Sequence, residues 1–119
     1  MISWNNLDTL ASYKELFDLE KVDLKAVMTG ENGAERVKNY SVPMAAGMAY
    51  NYGAKAVDDK VLAALAKLAK EAELTEKYAE LYNGAVINTG EKRLVLHQLT
   101  RGQLGNDVIA DGVNRENFT

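Results

Sequence analysis

The stretch 58–72 most constrains how this chain folds. Val61, Leu62, Leu65, Leu68 and Ala72 recur at spacings of three and four. That period gathers them on one face of an α-helix and on no single face of a strand. Lys60, Lys67, Lys70 and Glu71 take the opposite side, and Ala at 63, 64, 66 and 69 favours helix and permits close packing. Asp58 and Asp59 stand where a cap and a first-turn acid stabilise the positive end of a helix. The stretch therefore predicts an amphipathic helix.

Other segments repeat the pattern more briefly. Leu7, Leu10, Tyr13 and Phe17 share one helical face, with Asn6 as the expected N-cap and Trp4 packing back on the first turn. Asp23 is expected to cap a short helix over 24–28. Thr29-Gly30-Glu31-Asn32-Gly33 reads as a turn cluster, and 34–40 as a further helical turn. Between 41 and 56 the period changes. Pro43 opposes a helix interior, and Met48, Tyr50 and Tyr52 lie two apart. A small ribbon is expected there, with strands near 41–44 and 48–52, leaning on helices because an isolated two-stranded ribbon is marginal in water. After 72, Thr75 is expected to cap a helix reaching Leu81, which Gly84 stops in a left-handed conformation. Thr89 is expected to cap another, carrying Leu94, Val95, Leu96 and Leu99, with Gly102 past its end. Val108-Ile109-Ala110 is a short apolar run, and 113–118 reads as the start of a helix. The resulting fold class is mainly α with one small two-stranded β ribbon, an α+β arrangement.

Composition narrows the function. At 119 residues, 47% apolar and 26% charged, the chain suits one modest soluble domain. It has no Cys, which removes disulfides, thiol nucleophiles and zinc knuckles, and one His, which removes a His-rich metal site. A net charge of −3 lacks the basic surplus of most nucleic-acid binders. No apolar run approaches the roughly 20 residues of a membrane helix. Met1-Ile2-Ser3-Trp4-Asn5-Asn6 is neither a basic leader nor an apolar signal core. The expectation is a soluble, cytoplasmic protein that binds neither nucleic acid nor membrane.

Residues able to carry chemistry are few. His97 could act as an acid or base near neutral pH. Its neighbours Leu96, Gln98 and Leu99 favour a core or interface histidine in an apolar helix, and no catalytic partner stands near it in sequence. Asp58 and Asp59 could pair, yet neighbouring helix positions diverge by about 100°, so capping is favoured. Glu71, Glu73, Glu76 and Glu80 lack the alternating loop spacing and bending Gly of an oxygen-ligand metal site and read as a solvated face. Thr29 to Gly33 and Gly102-Gln103-Leu104-Gly105 lack the spacing and Lys of a phosphate loop and read as turns. Tyr50, Tyr52, Tyr78 and Tyr82 could stack on bases or sugars, but packing suits them better. Arg93 and Arg101 could hold an anion, but surface ion pairing is commoner. On these grounds no residue is assigned a catalytic, substrate-binding, cofactor-binding or metal role.

One stretch goes further. Gly84, Ile87, Asn88, Glu91, Arg93, Val95, Leu96, His97 and Leu99 match, in order and at similar spacing, an N-terminal signature of the phosphoglucose isomerase family. That signature reads Gly-Glu-x-Ile-Asn-x-Thr-Glu-x-Arg-x-Val-Leu-His-x-x-Leu-Arg. The chain departs from it at Gly90, where the family has Thr, and at Leu99-Thr100, because the signature's last Leu and Arg fall at 100 and 101. Asn51-Tyr52-Gly53-Ala54-Lys55 resembles the family's Asp-Tyr-Ser-Lys segment. Helix 59–70 resembles the family's next helix, 78–84 its Met-Phe-x-Gly element, and Ile109-Ala110-Asp111-Gly112 its Val-Asp-Gly turn. The resemblance runs from about Leu7 to Phe118.

The resemblance implies a single helical N-terminal segment, 1–119, of a longer enzyme that interconverts glucose 6-phosphate and fructose 6-phosphate without a cofactor. In the family, Lys and His aid ring opening and a Glu base moves a proton through an enediol. An Arg stabilises that intermediate, and a Gly-Ile-Gly-Gly-Ser loop helps hold the phosphate. None of these motifs has a counterpart here, and His97 matches a different His of the family. The isolated chain is therefore expected to be inactive and to self-associate through apolar faces, with a sugar phosphate as partner of the full-length enzyme only. The alternatives are a free-standing helical protein-interaction module, or a scaffold without a ligand.

Overall fold

The computed structural model describes residues 2–101 and 107–115. It is mainly helical with three two-stranded antiparallel sheets. The mainly α, α+β class read from the sequence holds, with two more ribbons than the sequence suggested. The chain divides into two compact units, one of Asn6–Leu68 and one joining Met1–Asn5 to Ala69–Thr119.

The first unit opens on a 3₁₀ turn, Leu7–Thr9, followed by helix α1, Ala11–Asp18. The single helix expected from Leu7 is thus broken at Leu10, whose backbone is extended. Asn6 makes no side-chain cap; instead its carbonyl accepts the Thr9 hydroxyl at 2.7 Å. Helix α2, Leu24–Thr29, is capped as expected, the Asp23 carboxylate accepting the Ala26 amide at 3.0 Å. Helix α3, Gly33–Asn39, follows the turn. Strands β1, Ser41–Pro43, and β2, Ala49–Asn51, form the expected ribbon with Val42 opposite Tyr50. Helix α4, Asp59–Glu71, confirms the amphipathic stretch, and the Asp58 carboxylate accepts the Val61 amide at 2.8 Å. An exposed Lys67–Glu15 pair ties α4 to α1 at 2.6 Å.

In the second unit, helix α5, Leu74–Tyr82, begins after Glu73, whose left-handed backbone (φ 53°, ψ 42°) separates it from α4. Thr75 therefore lies inside the first turn and is not the cap. The Glu73 carboxylate accepts the Ser3 amide at 2.7 Å, and Trp4 lies over the Lys77 ammonium at 5.2 Å. At the far end the Gly84 amide bonds the Leu81 carbonyl and the Ala85 amide bonds the Glu80 carbonyl, a Schellman closure around Gly84 at φ +84°.

The helix expected from Thr89 is absent. Val86–Asn88 and Arg93–Leu94 pair instead as β3 and β4, with a bulge, and a 3₁₀ turn spans His97–Arg101. The reason is local. The Asn88 side chain accepts the Glu91 amide at 3.1 Å, and Lys92 adopts φ 55°, which closes a turn rather than starting a helix. Ile109–Ala110 and Val113–Asn114 form β5 and β6, joined through Asp111 (φ 53°) and Gly112 (φ 73°). Two positive φ angles make this a type I′ hairpin turn, so no helix starts at Val113. The described core of this unit is Ala72, Leu99, Val108 and Ala110. Gly102 to Gly105, and the rest of the 113–118 stretch beyond Arg115, lie outside the described residues.

Candidate functional site

Among the described residues, the most connected polar group is built around Arg36, which sequence reasoning did not single out. It sits one turn before the end of α3. Its Nε donates to the Gly53 carbonyl at 2.8 Å, and its Nη2 donates to the carbonyls of Lys55 at 2.8 Å and Val57 at 2.7 Å. One guanidinium thus holds the whole connection from β2 to α4. The same group lies 4.5 Å from the centre of the Tyr40 ring, one turn further on. Tyr40 stacks on Tyr52 at 5.1 Å, and Tyr52 stacks on Tyr50 at 6.1 Å. The Tyr40 hydroxyl donates to Asp59 at 3.1 Å. The Asn51 amide donates to the Val37 carbonyl, and its oxygen accepts the Gly53 amide. The sequence signal was a basic residue in the last turn of a short helix, a place from which Arg often reaches carbonyls.

Burial of the Tyr40 phenol raises its pKa, and Asp59 adds to the rise through its hydrogen bond and its charge. Arg36 opposes the shift, and Asp58 contributes a little in the same direction as Asp59. The arrangement is that of a structural knot. Arg36 spends three donors on backbone oxygens, and the Tyr40 hydroxyl, its pKa raised, is held as a donor to Asp59.

Beside it, α1, the segment after it and the start of α4 enclose a cleft of about 740 Å³ lined by Tyr13, Leu16, Phe17, Leu19, Val22 and Val61, with Glu20 and Lys21 as its charged residues. Its walls are apolar and few polar groups converge in it, unlike most substrate sites.

The residues weighed from the sequence are scattered. His97 is exposed at the head of a 3₁₀ turn and so is neither a core histidine nor a helix-interior one. Asp58 caps α4 and Asp59 is the acid of its first turn, both as expected, and Asp59 also accepts from the Tyr40 hydroxyl. Glu73 binds the Ser3 amide, and Glu76 and Glu80 lie on the exposed side of α5. Tyr78 and Tyr82 face one another at 5.5 Å. Arg93 pairs loosely with Glu91 at 3.7 Å, and Arg101 is exposed. Among the described residues no three of His, Asp and Glu converge as metal ligands. Among them, too, no helix is long and apolar enough to cross a membrane.

Comparison with known proteins supplies what the geometry lacks. The phosphoglucose isomerase family model matches residues 51–117. A glucose-6-phosphate isomerase of Treponema denticola is 50% identical over 98% of this chain and 23% of its own length. One of Treponema pallidum is 50% identical over 84% of this chain and 19% of its own. One of Borreliella afzelii is 42% identical over 99% of this chain and 21% of its own. The chain thus spans about a fifth of the length of these relatives.

Proposed function

The chain belongs to the phosphoglucose isomerase family, and on that premise we propose that it is the N-terminal segment of a glucose-6-phosphate isomerase. The whole enzyme would interconvert glucose 6-phosphate and fructose 6-phosphate in the cytoplasm, serving glycolysis and gluconeogenesis. The observation that carries this reading is identity of 42–50% along almost the whole chain, to proteins about five times its length. The two units together form one segment of that enzyme, and the groups that open the sugar ring, hold the phosphate and move the proton belong to the rest of it.

The segment alone has no isomerase activity in this reading. A coupled assay that follows glucose 6-phosphate formed from fructose 6-phosphate is expected to show no turnover above buffer for the 119-residue chain. Measurable turnover would overturn the proposal of an inactive segment. The parent reading frame offers a second check, since it is expected to continue past Thr119 into a Gly-Ile-Gly-Gly-Ser motif.

We also propose that the isolated chain self-associates. Large apolar side chains stay on its surface, Phe17 being 78% exposed beside the cleft. The same exposure favours the second reading, a free-standing interaction module, over a scaffold without partners. A native reading frame that stops after Thr119 would favour that module.

A further inference from the structure

We propose that the ribbon β1–β2 is the surface through which two copies of this chain associate, by antiparallel pairing of β2 with the β2 strand of a second copy about a two-fold axis at Tyr50. This rests on, and deepens, the self-association proposed above.

The hydrogen-bond pattern of the ribbon shows which edge is open. The Met44 amide bonds the Met48 carbonyl at 2.8 Å, and the Tyr52 amide bonds the Tyr40 carbonyl at 2.8 Å. In an antiparallel pair, bonded and non-bonded residue pairs alternate. With Val42 opposite Tyr50, Tyr50 therefore spends its backbone groups on β1, whereas Ala49 and Asn51 turn theirs outward. Both residues are exposed. The outer edge of β1 is different, because Pro43, opposite Ala49, has no amide to offer there. Only the β2 edge can add a strand on both amides.

Among the described residues, nothing guards that edge. Natural edge strands are usually protected by Lys, Pro, bulges or a covering element. Residues 41–54 hold fourteen positions without a single charge, and β2 pairs in regular register. The face is apolar too. Val42, Met44, Met48 and Tyr50 share one side of the ribbon through their register, and they are 44%, 52%, 57% and 47% exposed.

A second copy fits these features. On a chain of net charge −3, a neutral patch can meet its own image without like-charge repulsion, which a charged patch could not. A two-fold axis at Tyr50 sets Ala49 against Asn51 of the second copy, and Asn51 against its Ala49. Each of these is a bonded pair, so both outward amides on each strand find carbonyl acceptors. The product is a four-stranded sheet with a continuous apolar face, which also removes the marginality of a lone two-stranded ribbon. Face-to-face contact of four side chains per copy would by itself fall short of the roughly 1,000 Å² of a stable interface. Pairing through the edge adds backbone bonds to that small area.

Sedimentation velocity over a concentration series, on the chain and on Ala49→Pro, tests the proposal. Proline at 49 removes an outward amide and spares the bonds to β1. The chain is expected to form a dimer that Ala49→Pro weakens at least tenfold, with an unchanged far-ultraviolet circular dichroism spectrum. Because the chain has no Cys, Tyr50→Cys introduces the only thiol, directly opposite its copy in a non-bonded pair. Oxidised glutathione should then link Tyr50→Cys into a disulfide dimer at concentrations where Thr89→Cys, in the β3–β4 turn, stays monomeric. Should Ala49→Pro lose its fold, the thiol pair decides the matter. Association unaffected by Ala49→Pro, with Tyr50→Cys linking no faster than Thr89→Cys, would overturn the ribbon and leave self-association standing through another face. A strict monomer at every concentration would overturn both, without touching the assignment to the isomerase segment.

Discussion

Tyr40 joins α3, the ribbon and the first turn of α4 through one ring and one hydroxyl. Its pKa lies above the ordinary phenol range near 10, chiefly because the phenol is partly buried, and then because Asp59 accepts its proton in a hydrogen bond and repels its anion. The folded chain thus holds this proton more tightly than the unfolded chain does. Stability from Tyr40 is fully present below about pH 10 and is lost as pH rises through the higher folded value. Other tyrosines and the lysines titrate in the same range, so the informative quantity is the difference between wild type and Tyr40→Phe. Urea midpoints measured from about pH 8 to about pH 11 should fall for both proteins, and less steeply for Tyr40→Phe. At neutral pH the variant should be weaker by roughly 0.5–1 kcal/mol, the net value of one exposed hydrogen bond. Parallel curves for the two proteins would show that the hydroxyl does not carry this linkage.

Element boundaries depend on a few backbone positions, and Gly84 is the sharpest. It ends α5 at φ +84°, and a Cβ built there would stand 2.9 Å from Cγ1 of the buried Val108. Gly84→Ala therefore meets two costs, the left-handed strain of roughly 1–2 kcal/mol and the displacement of Val108. A loss of about 2 kcal/mol or more in denaturant unfolding is expected, and an unchanged midpoint would exclude this account of the α5 stop. Gly84 was legible in the sequence because it followed a periodic apolar run. So were α4, with five apolar positions at helical spacing and an acid before them, and the ribbon, with its residues two apart. The β3–β4 hairpin was not. Leu94, Val95 and Leu96 are consecutive, and a short apolar run shows no period that separates helix from strand. The deciding groups were the Asn88 side chain and the Lys92 backbone, whose conformations composition does not announce. Thr75 misled for a similar reason, since the left-handed backbone of Glu73 fixed the start of α5 two residues earlier. The knot around Arg36 escaped notice because its partners are carbonyls 17 to 21 residues away, and every residue has a carbonyl.

At the scale of the molecule, the two units differ in what holds each together. Every buried apolar side chain among the described residues, Ala72, Leu99, Val108 and Ala110, belongs to the unit that includes Ala69–Thr119. In the Asn6–Leu68 unit the buried positions are Ser12, Gly33 and Gly53, while Leu7, Phe17, Val37, Val42 and Leu65 remain largely exposed. That unit relies on helix caps, the ribbon and the three Arg36 bonds, and such polar ties contribute about 1 kcal/mol each against an ordering cost of similar size per residue. Burial of apolar area is the larger favourable term in any domain, so the unit whose apolar side chains are at most half-buried should open more readily. Hydrogen–deuterium exchange of the dilute, monomeric chain tests this peptide by peptide. Peptides within 11–57 should exchange fully while those covering 84–99 retain protection, and Arg36→Met should speed exchange in 33–57 far more than in 84–99. Concentration then separates local stability from association. If the ribbon pairs with a second copy, amides of Ala49 and Asn51 should gain protection as the chain is concentrated, because a partner that binds only the folded form stabilises it by mass action. Equal protection of both units in the dilute chain would mean that the Asn6–Leu68 unit draws its stability from something other than the buried apolar core it lacks.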